Sequence, residues 1–127
     1  MFHDLSKVSQ GCVGLGSAIA YFVSKGFVVS LPLVDNQDYD LIIDDGTLRK
    51  VQVKTTGTLN RASKYYIVQL KSVRSNRNKN VIKNFDTTTT DYLFILTGNG
   101  DKYVIPCSEI VVGSALTLHK ALDKYKI

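Results

Sequence analysis

The chain has 127 residues, 44% of them hydrophobic, which suits a single domain over residues 1–127 and excludes two independent cores. Sixteen Lys and Arg against eleven Asp and Glu give a net charge of +5, which favours polyanionic partners. No apolar run approaches the roughly 18–20 residues of a membrane-spanning helix, so we expect no membrane association.

The amino-terminal residues carry no basic region followed by an apolar stretch, so no secretory signal is predicted and we expect a cytoplasmic protein. In that compartment the two cysteines, Cys12 and Cys107, are expected to be reduced and mostly buried.

The first half of the chain predicts one helix and three strands. Residues 9–25 predict a helix, because apolar side chains recur at helical spacing from Val13 to Val23 and Gly26 follows at a stop position. Strands are predicted at residues 27–33, 39–44 and 47–55. The Asp45-Gly46 pair between the last two strands indicates a hairpin.

The second half predicts mixed elements. They are a strand at residues 64–73, a basic loop or short helix at 75–84, strands at 91–97 and 102–106 around a turn at 98–100, and a helix over much of 115–125. A helix, three strands and then mixed elements indicate an α+β or α/β domain around one central sheet.

Polar residues in the third predicted strand form a candidate site. Side chains alternate between the two faces of a strand, so Gln52 and Lys54 share one face while Val51 and Val53 share the other. An edge strand with a solvated face would also explain this pattern. A functional site is favoured only if Asp40 lies on the same face as Gln52 and Lys54.

The hairpin register decides whether Asp40 reaches the same face. A two-residue turn would pair Asp40 with Val51 and direct it away from Gln52. A three-residue loop, Asp44-Asp45-Gly46, would place Asp40 opposite Lys50 and diagonal to Gln52. We predict the three-residue loop or an equivalent bulge.

Such a group of side chains suits hydrolysis of a phosphodiester with the help of a bound hard cation, which polarises the phosphate and lowers the pKa of a bound water molecule. Asp40 offers an anionic oxygen, Gln52 a neutral amide oxygen and Val53 its backbone carbonyl. Lys54 can orient a water molecule and stabilise negative charge on the phosphate. Because Gln52 brings no charge, we expect weak binding of a single Mg²⁺ ion rather than a pair.

The sequence resembles the PD-(D/E)XK nuclease superfamily, most closely its branch of small intron-encoded homing endonucleases with a QxK motif. The resemblance extends from near Gln10 to near Ile110. It is carried by Gly14-Leu15-Gly16, Gly26-Phe27-Val28-Val29, Leu31-Pro32-Leu33, Tyr39-Asp40-Leu41-Ile42, Val51-Gln52-Val53-Lys54-Thr55, Asp91-Tyr92-Leu93-Phe94 and Tyr103-Val104-Ile105-Pro106.

This resemblance implies an αβββαβ restriction-endonuclease-like core, with a central mixed sheet flanked by helices. It also implies Mg²⁺ dependence with Mn²⁺ as a substitute, double-stranded DNA as substrate, and a homodimer or homotetramer. The metal-ligand role falls on Asp40 and Gln52 and the catalytic lysine role on Lys54. Many relatives carry Glu on the first helix where this chain has Ser17, and Asp35 and Asp38 are candidate substitutes.

A basic segment around residues 71–83 is a candidate DNA-contacting loop. The predicted DNA contacts are Arg61, Lys64, Arg74, Arg77, Lys79 and Lys83. Three functions stay open: a sequence-specific, homing-like endonuclease, a structure-selective nuclease such as a Holliday-junction resolvase, and an inactive DNA-binding module of the same fold.

Overall fold

A computed structural model describes the chain except residues 35, 77, 78, 84 and 112, and describes only the backbone of residues 72–76 and 79–83. The helix α1 spans Lys7–Ser24. The strands are β1 Val28–Ser30, β2 Leu41–Asp44, β3 Leu48–Thr56, β4 Ile67–Gln69, β5 Ser72–Asn76, β6 Lys79–Lys83, β7 Tyr92–Thr97, β8 Lys102–Pro106 and β9 Ala115–Thr117. Two 3₁₀ helices cover Cys107–Glu109 and Lys120–Tyr125.

The helix begins and ends where its sequence offers caps. The Ser6 side chain accepts a hydrogen bond from the Ser9 N–H at 3.1 Å, which satisfies one of the free donors of the first turn. Gly26 has a φ of +84°, a conformation that glycine adopts without a steric cost, and it ends the helix as predicted. Within the described residues, no helix is long and apolar enough to cross a bilayer.

Five strands form the central sheet, in the order β1-β2-β3-β7-β8. The β3–β7 pair is parallel and the other neighbours are antiparallel, so the sheet is mixed. With one long helix packed on it, this sheet has the α+β class that the sequence predicts.

Each face of the sheet has its own apolar cluster. Helix α1 covers one face, where Ala18 and Phe22 pack with residues of β2, β3 and β7. On the other face, β4 and β9 contribute Val68 and Leu116 to a cluster whose central-sheet members come from β7 and β8. On that second face, the side chains of β2 and of β3 as far as Lys54 are partly or fully exposed.

Two predicted elements are wrong. Of residues 75–84, the described ones, 75–76 and 79–83, belong to the antiparallel β5 and β6 strands rather than to a loop or short helix. In residues 115–125, Leu116 and Leu118 are buried and alternate with partly exposed residues, a period of two that forms β9 against β4. Only a 3₁₀ helix follows, so the closing α-helix is absent from this segment.

The connection from β3 to β7 differs from the αβββαβ pattern. Its described residues form β4, β5 and β6 rather than a second α-helix. The two cysteines are free, but Cys12 is exposed, so the prediction that both are mostly buried holds only for Cys107.

Candidate active site

Asp40 lies immediately before β2 and is held against β3 by its backbone and its side chain. Its backbone N–H donates to the carbonyl oxygen of Val51 at 2.8 Å. Its carboxylate oxygen Oδ2 accepts a hydrogen bond from the backbone N–H of Val53 at 2.6 Å. The half-buried carboxylate is therefore positioned beside the second half of β3.

The β2–β3 turn is a three-residue loop, one residue later than predicted. Asp44 pairs with Leu48, so the loop is Asp45-Gly46-Thr47. The Asp44 carboxylate accepts the Gly46 N–H at 2.9 Å, a local bond that favours Asp44 as the last residue of β2. Gly46 takes a φ of +108°, which a side chain would oppose.

This shift changes the predicted partner of Lys50, but each side chain stays on its predicted face of the sheet. Lys50 pairs with Ile42, so the predicted pairing with Asp40 is wrong. The residues of β2 and β3 that pack against α1 are odd-numbered, including Leu41 and Val51. By alternation, Gln52 and Lys54 lie on the opposite face, as does Lys50.

Lys54 extends into a largely desolvated environment next to Asp40. Burial lowers its pKa from the ordinary value of 10.5, and the negative charge of Asp40 acts in the opposite direction. Lys54 is paired with Ile95 of β7, and Gln52 with Leu93, so an apolar strand borders both polar residues.

The backbone of Val53 faces the same edge as Asp40. In an extended strand the N–H and C=O of one residue point to the same side, and successive residues alternate. At the β7 side, the Lys50 N–H donates to the Asp91 carboxylate and the Lys50 carbonyl accepts from the Asp91 N–H, whereas Val53 donates to Asp40 at the β2 side. The Val53 carbonyl therefore points toward the edge where the carboxylate lies.

The donor chemistry at this edge fits a hard divalent cation. A carboxylate, an amide oxygen and a backbone carbonyl are the oxygen ligands that Mg²⁺ and Ca²⁺ accept in proteins. The described residues contain no group of three or more His, Cys, Asp or Glu that could hold a metal. A cation at this site would therefore depend on the neutral oxygens of Gln52 and Val53 as well as on Asp40.

The helix contributes an apolar neighbour rather than an acid. Leu15 of α1 lines a cavity of about 240 Å³ together with Asp40, Tyr39, Leu31 and Pro32. Sequence reasoning missed Leu15 and Tyr39 as neighbours of Asp40. Tyr39 could have been noticed as the residue adjoining the acid, whereas Leu15 depends on how α1 packs.

Comparison with known proteins identifies the family. A family model described as PD-(D/E)XK endonuclease matches residues 7–125, nearly the whole chain. The chain belongs to the PD-(D/E)XK endonuclease family. The match confirms the family predicted from Tyr39-Asp40 and Val51-Gln52-Val53-Lys54, and it places the chain among nucleases.

The fold of this PD-(D/E)XK chain is similar to a solved structure of a bacterial homing endonuclease, I-Ssp6803I. The TM-score is 0.76 at 28% sequence identity, and the match covers 91% of this chain and 79% of the other. A search of curated proteins finds no match to the chain.

The predicted site residues of the PD-(D/E)XK chain fall into two groups. Asp40, Gln52, Val53 and Lys54 come together along β3, and their catalytic and metal-binding roles stay predictions. The loop after β3 carries the exposed side chains of Arg61 and Lys64. Arg77 and the side chains of Arg74, Lys79 and Lys83 lie outside the described residues, as does Asp35.

Proposed function

We propose that this PD-(D/E)XK protein is a metal-dependent endonuclease that hydrolyses phosphodiester bonds of double-stranded DNA. The hydrogen bond from the Val53 N–H to Asp40 Oδ2 supports this proposal more than any other single observation. It joins the acid before β2 to the strand that carries Gln52 and Lys54. Two sequence segments of the family signature thereby form one local site.

The metal-ligand roles belong to Asp40, Gln52 and the Val53 carbonyl in this proposal. Mg²⁺ bound there would polarise the phosphate and lower the pKa of a bound water molecule, and Mn²⁺ would substitute for it. The Val53 N–H holds the Asp40 carboxylate in orientation, so ligand positions are set before the ion binds. With one anionic ligand in the set, we expect weak affinity and one ion.

Lys54 contributes charge at the reacting phosphate. In its protonated form the Lys54 ammonium donates hydrogen bonds to the phosphate oxygens and to a water molecule beside them. Its partial burial strengthens these interactions, because charges interact more strongly where water is excluded. The negative charge of Asp40 raises the pKa of Lys54 and so opposes the larger effect of that burial.

We propose that the protein cleaves double-stranded DNA at a specific sequence, as a homing endonuclease does. The likeness to I-Ssp6803I, described as a homing endonuclease, supports it, as does the net charge of +5. Cutting both strands of a two-fold symmetric target would require at least two copies of the site, so we propose a homodimer or homotetramer as the active form.

The test is cleavage of a duplex library of randomised sequence, and of a four-way junction with random arms, in Mg²⁺ or Mn²⁺. We expect cleavage that requires the ion and falls by about 100-fold or more in Lys54→Met and Asp40→Asn. Lys120→Met, which removes an exposed lysine in the second 3₁₀ helix, is the control and should cleave normally.

Each outcome of this test has a separate meaning. Duplex cleavage lost in Lys54→Met supports the proposal. Cleavage of the junction but not of linear duplex would select a resolvase instead. Metal-independent DNA binding without Lys54-dependent cleavage of any substrate would contradict the enzyme and leave an inactive DNA-binding module.

A further inference from the structure

A third polar residue of β3 lies on the face of the candidate site. Lys50 is two positions before Gln52 and four before Lys54, and strand alternation directs all three side chains to one face. Two residues of a strand span about 6.6 Å. Lys50 is therefore placed beside the proposed reaction centre but outside it.

The Lys50 ammonium lies over the aromatic ring of the residue that precedes Asp40. Its Nζ lies over the ring of Tyr39, 5.3 Å from the centroid. Tyr39 directly precedes Asp40 and lines the cavity that contains Asp40. A cation held over a ring has fewer accessible side-chain conformations, while its N–H donors still reach an anion.

The sheet face around Lys50 is accessible from outside. Lys50 is exposed, and its partner Ile42 across β2 is partly exposed. The central-sheet residues of the apolar cluster on this face belong to β7 and β8. A polyanion that reaches Lys54 over this face would therefore also meet Lys50.

The Lys50 backbone is fixed, which gives its side chain a defined origin. Asp91 Oδ2 accepts the Lys50 N–H at 2.8 Å, and the Asp91 N–H donates to the Lys50 carbonyl at 2.9 Å. The position of the ammonium thus depends only on the conformation of the Lys50 side chain, and the contact with Tyr39 restrains that conformation.

We propose that Lys50, positioned by Tyr39, binds a non-reacting phosphate of the DNA strand next to the scissile phosphate. This contact fixes the position of the DNA strand relative to Asp40 and Lys54. The inference rests on the proposed function, and it adds a substrate-binding residue to the site. Tyr39 acts through Lys50 and is a positioning residue.

The experiment compares Lys50→Gln with Lys25→Gln. Lys25 is the matched control because its Nζ also lies over a tyrosine ring, 5.4 Å from the Tyr21 centroid, at the end of α1 on the other side of the sheet. Binding of a fluorescent duplex of random sequence is measured at several salt concentrations. The dependence of log K on log salt should become shallower by about 0.9 in Lys50→Gln and stay unchanged in Lys25→Gln.

Cleavage kinetics supply a second readout on whichever duplex the wild type cuts. We expect Lys50→Gln to raise KM by about tenfold with little change in kcat, because the lost contact binds ground state and transition state alike. Tyr39→Phe should keep the wild-type values, since its ring is retained. Tyr39→Leu should raise KM in the same direction as Lys50→Gln.

Failure of the inference and failure of the proposed function are distinguishable. A wild type that cleaves DNA, with an unchanged salt dependence and KM in Lys50→Gln, overturns the inference alone. Equal losses in Lys50→Gln and Lys25→Gln also overturn it, because they would indicate a general charge effect. A wild type that neither cuts nor binds DNA overturns the proposed function and the inference together.

Discussion

Asp91 makes two hydrogen bonds to the backbone of Lys50 at the start of the parallel β3–β7 pair. Its N–H donates to the Lys50 carbonyl and its carboxylate accepts the Lys50 N–H. The side chain thus supplies a partner that the strand ladder lacks at its first position. Asp91 lies on the opposite side of β3 from Asp40, so both edges of this strand are held by a carboxylate.

Asp91→Ala should lower the free energy of unfolding by about 1–2 kcal/mol, because it leaves the Lys50 N–H without its charged acceptor. Urea unfolding measures this loss. Asp91→Asn, which keeps a neutral acceptor oxygen, should lose less. Glu109→Ala, at an exposed position, is the control, and an equal loss in that variant would contradict the role of the hydrogen bond.

Gly14 allows α1 to approach β3 closely. A Cβ atom added there would lie 3.3 Å from Val53 Cγ1 and closer still to Thr55 Cγ2. We expect Gly14→Ala to destabilise the fold by about 1–3 kcal/mol and to reduce cleavage, because α1 and β3 must separate next to the candidate site.

Gly11 and Gly16 are matched controls in the same helix. A Cβ added at either position meets no atom within 4 Å. Alanine at these positions should stabilise the protein by about 0.5–1 kcal/mol through the greater helix propensity of alanine. Destabilisation at all three glycines would show that close packing at Gly14 is not the cause.

The stability of the protein should rise at alkaline pH because of Lys54. Its pKa in the folded state lies below the ordinary 10.5, chiefly through burial. Between these two values the unfolded chain binds more protons than the folded one, so the free energy of unfolding increases with pH. Lys54→Met should therefore be more stable than wild type near neutral pH, by a margin that shrinks toward pH 10.5.

Urea unfolding at a series of pH values measures that margin, with Lys120→Met as the control for loss of one positive charge. The ¹³C NMR titration of the labelled Lys54 side chain gives the pKa directly. In Asp40→Asn the Lys54 pKa should fall further, because the charge that raises it is removed. A margin that is constant with pH would contradict the prediction.

The two thiols should differ in their reaction with a disulfide reagent. Burial raises the pKa of the Cys107 thiol to about 12, with a smaller contribution from the charge of Asp91, so little thiolate forms. Exposed Cys12 should react in the native protein, and Cys107 only after unfolding. Native Cys12→Ser should show no fast reaction, and a fast one would contradict the burial of Cys107.

The local pattern of β3 was readable from the sequence. Alternation of Val51, Gln52, Val53 and Lys54 assigns side chains to faces without any tertiary information, and the structure shows those faces. The glycine in the Asp45-Gly46 pair likewise predicts the hairpin. The loop lies one residue later than predicted, which shifts the pairing by two residues and preserves the faces, and the Asp44 side chain bonds within the turn.

Segment 115–125 shows where sequence reasoning fails. Its residues are compatible with a helix by propensity, yet Leu116 is buried against β4 and the segment pairs as a strand. Intrinsic preferences of short segments are small compared with the burial of a large apolar side chain. The outcome therefore depended on a partner strand about fifty residues earlier in the chain.

The sequence by itself determined the α+β class, the first helix, the strands around it and the faces of Gln52 and Lys54, because these follow from short-range periodicity. Only the tertiary structure decided that Val53 would donate to Asp40, that β3 would pair in parallel with β7, and that Lys50 would lie over Tyr39. Each of those contacts depends on how separate segments pair and pack, and periodicity within one segment carries no information about its partner.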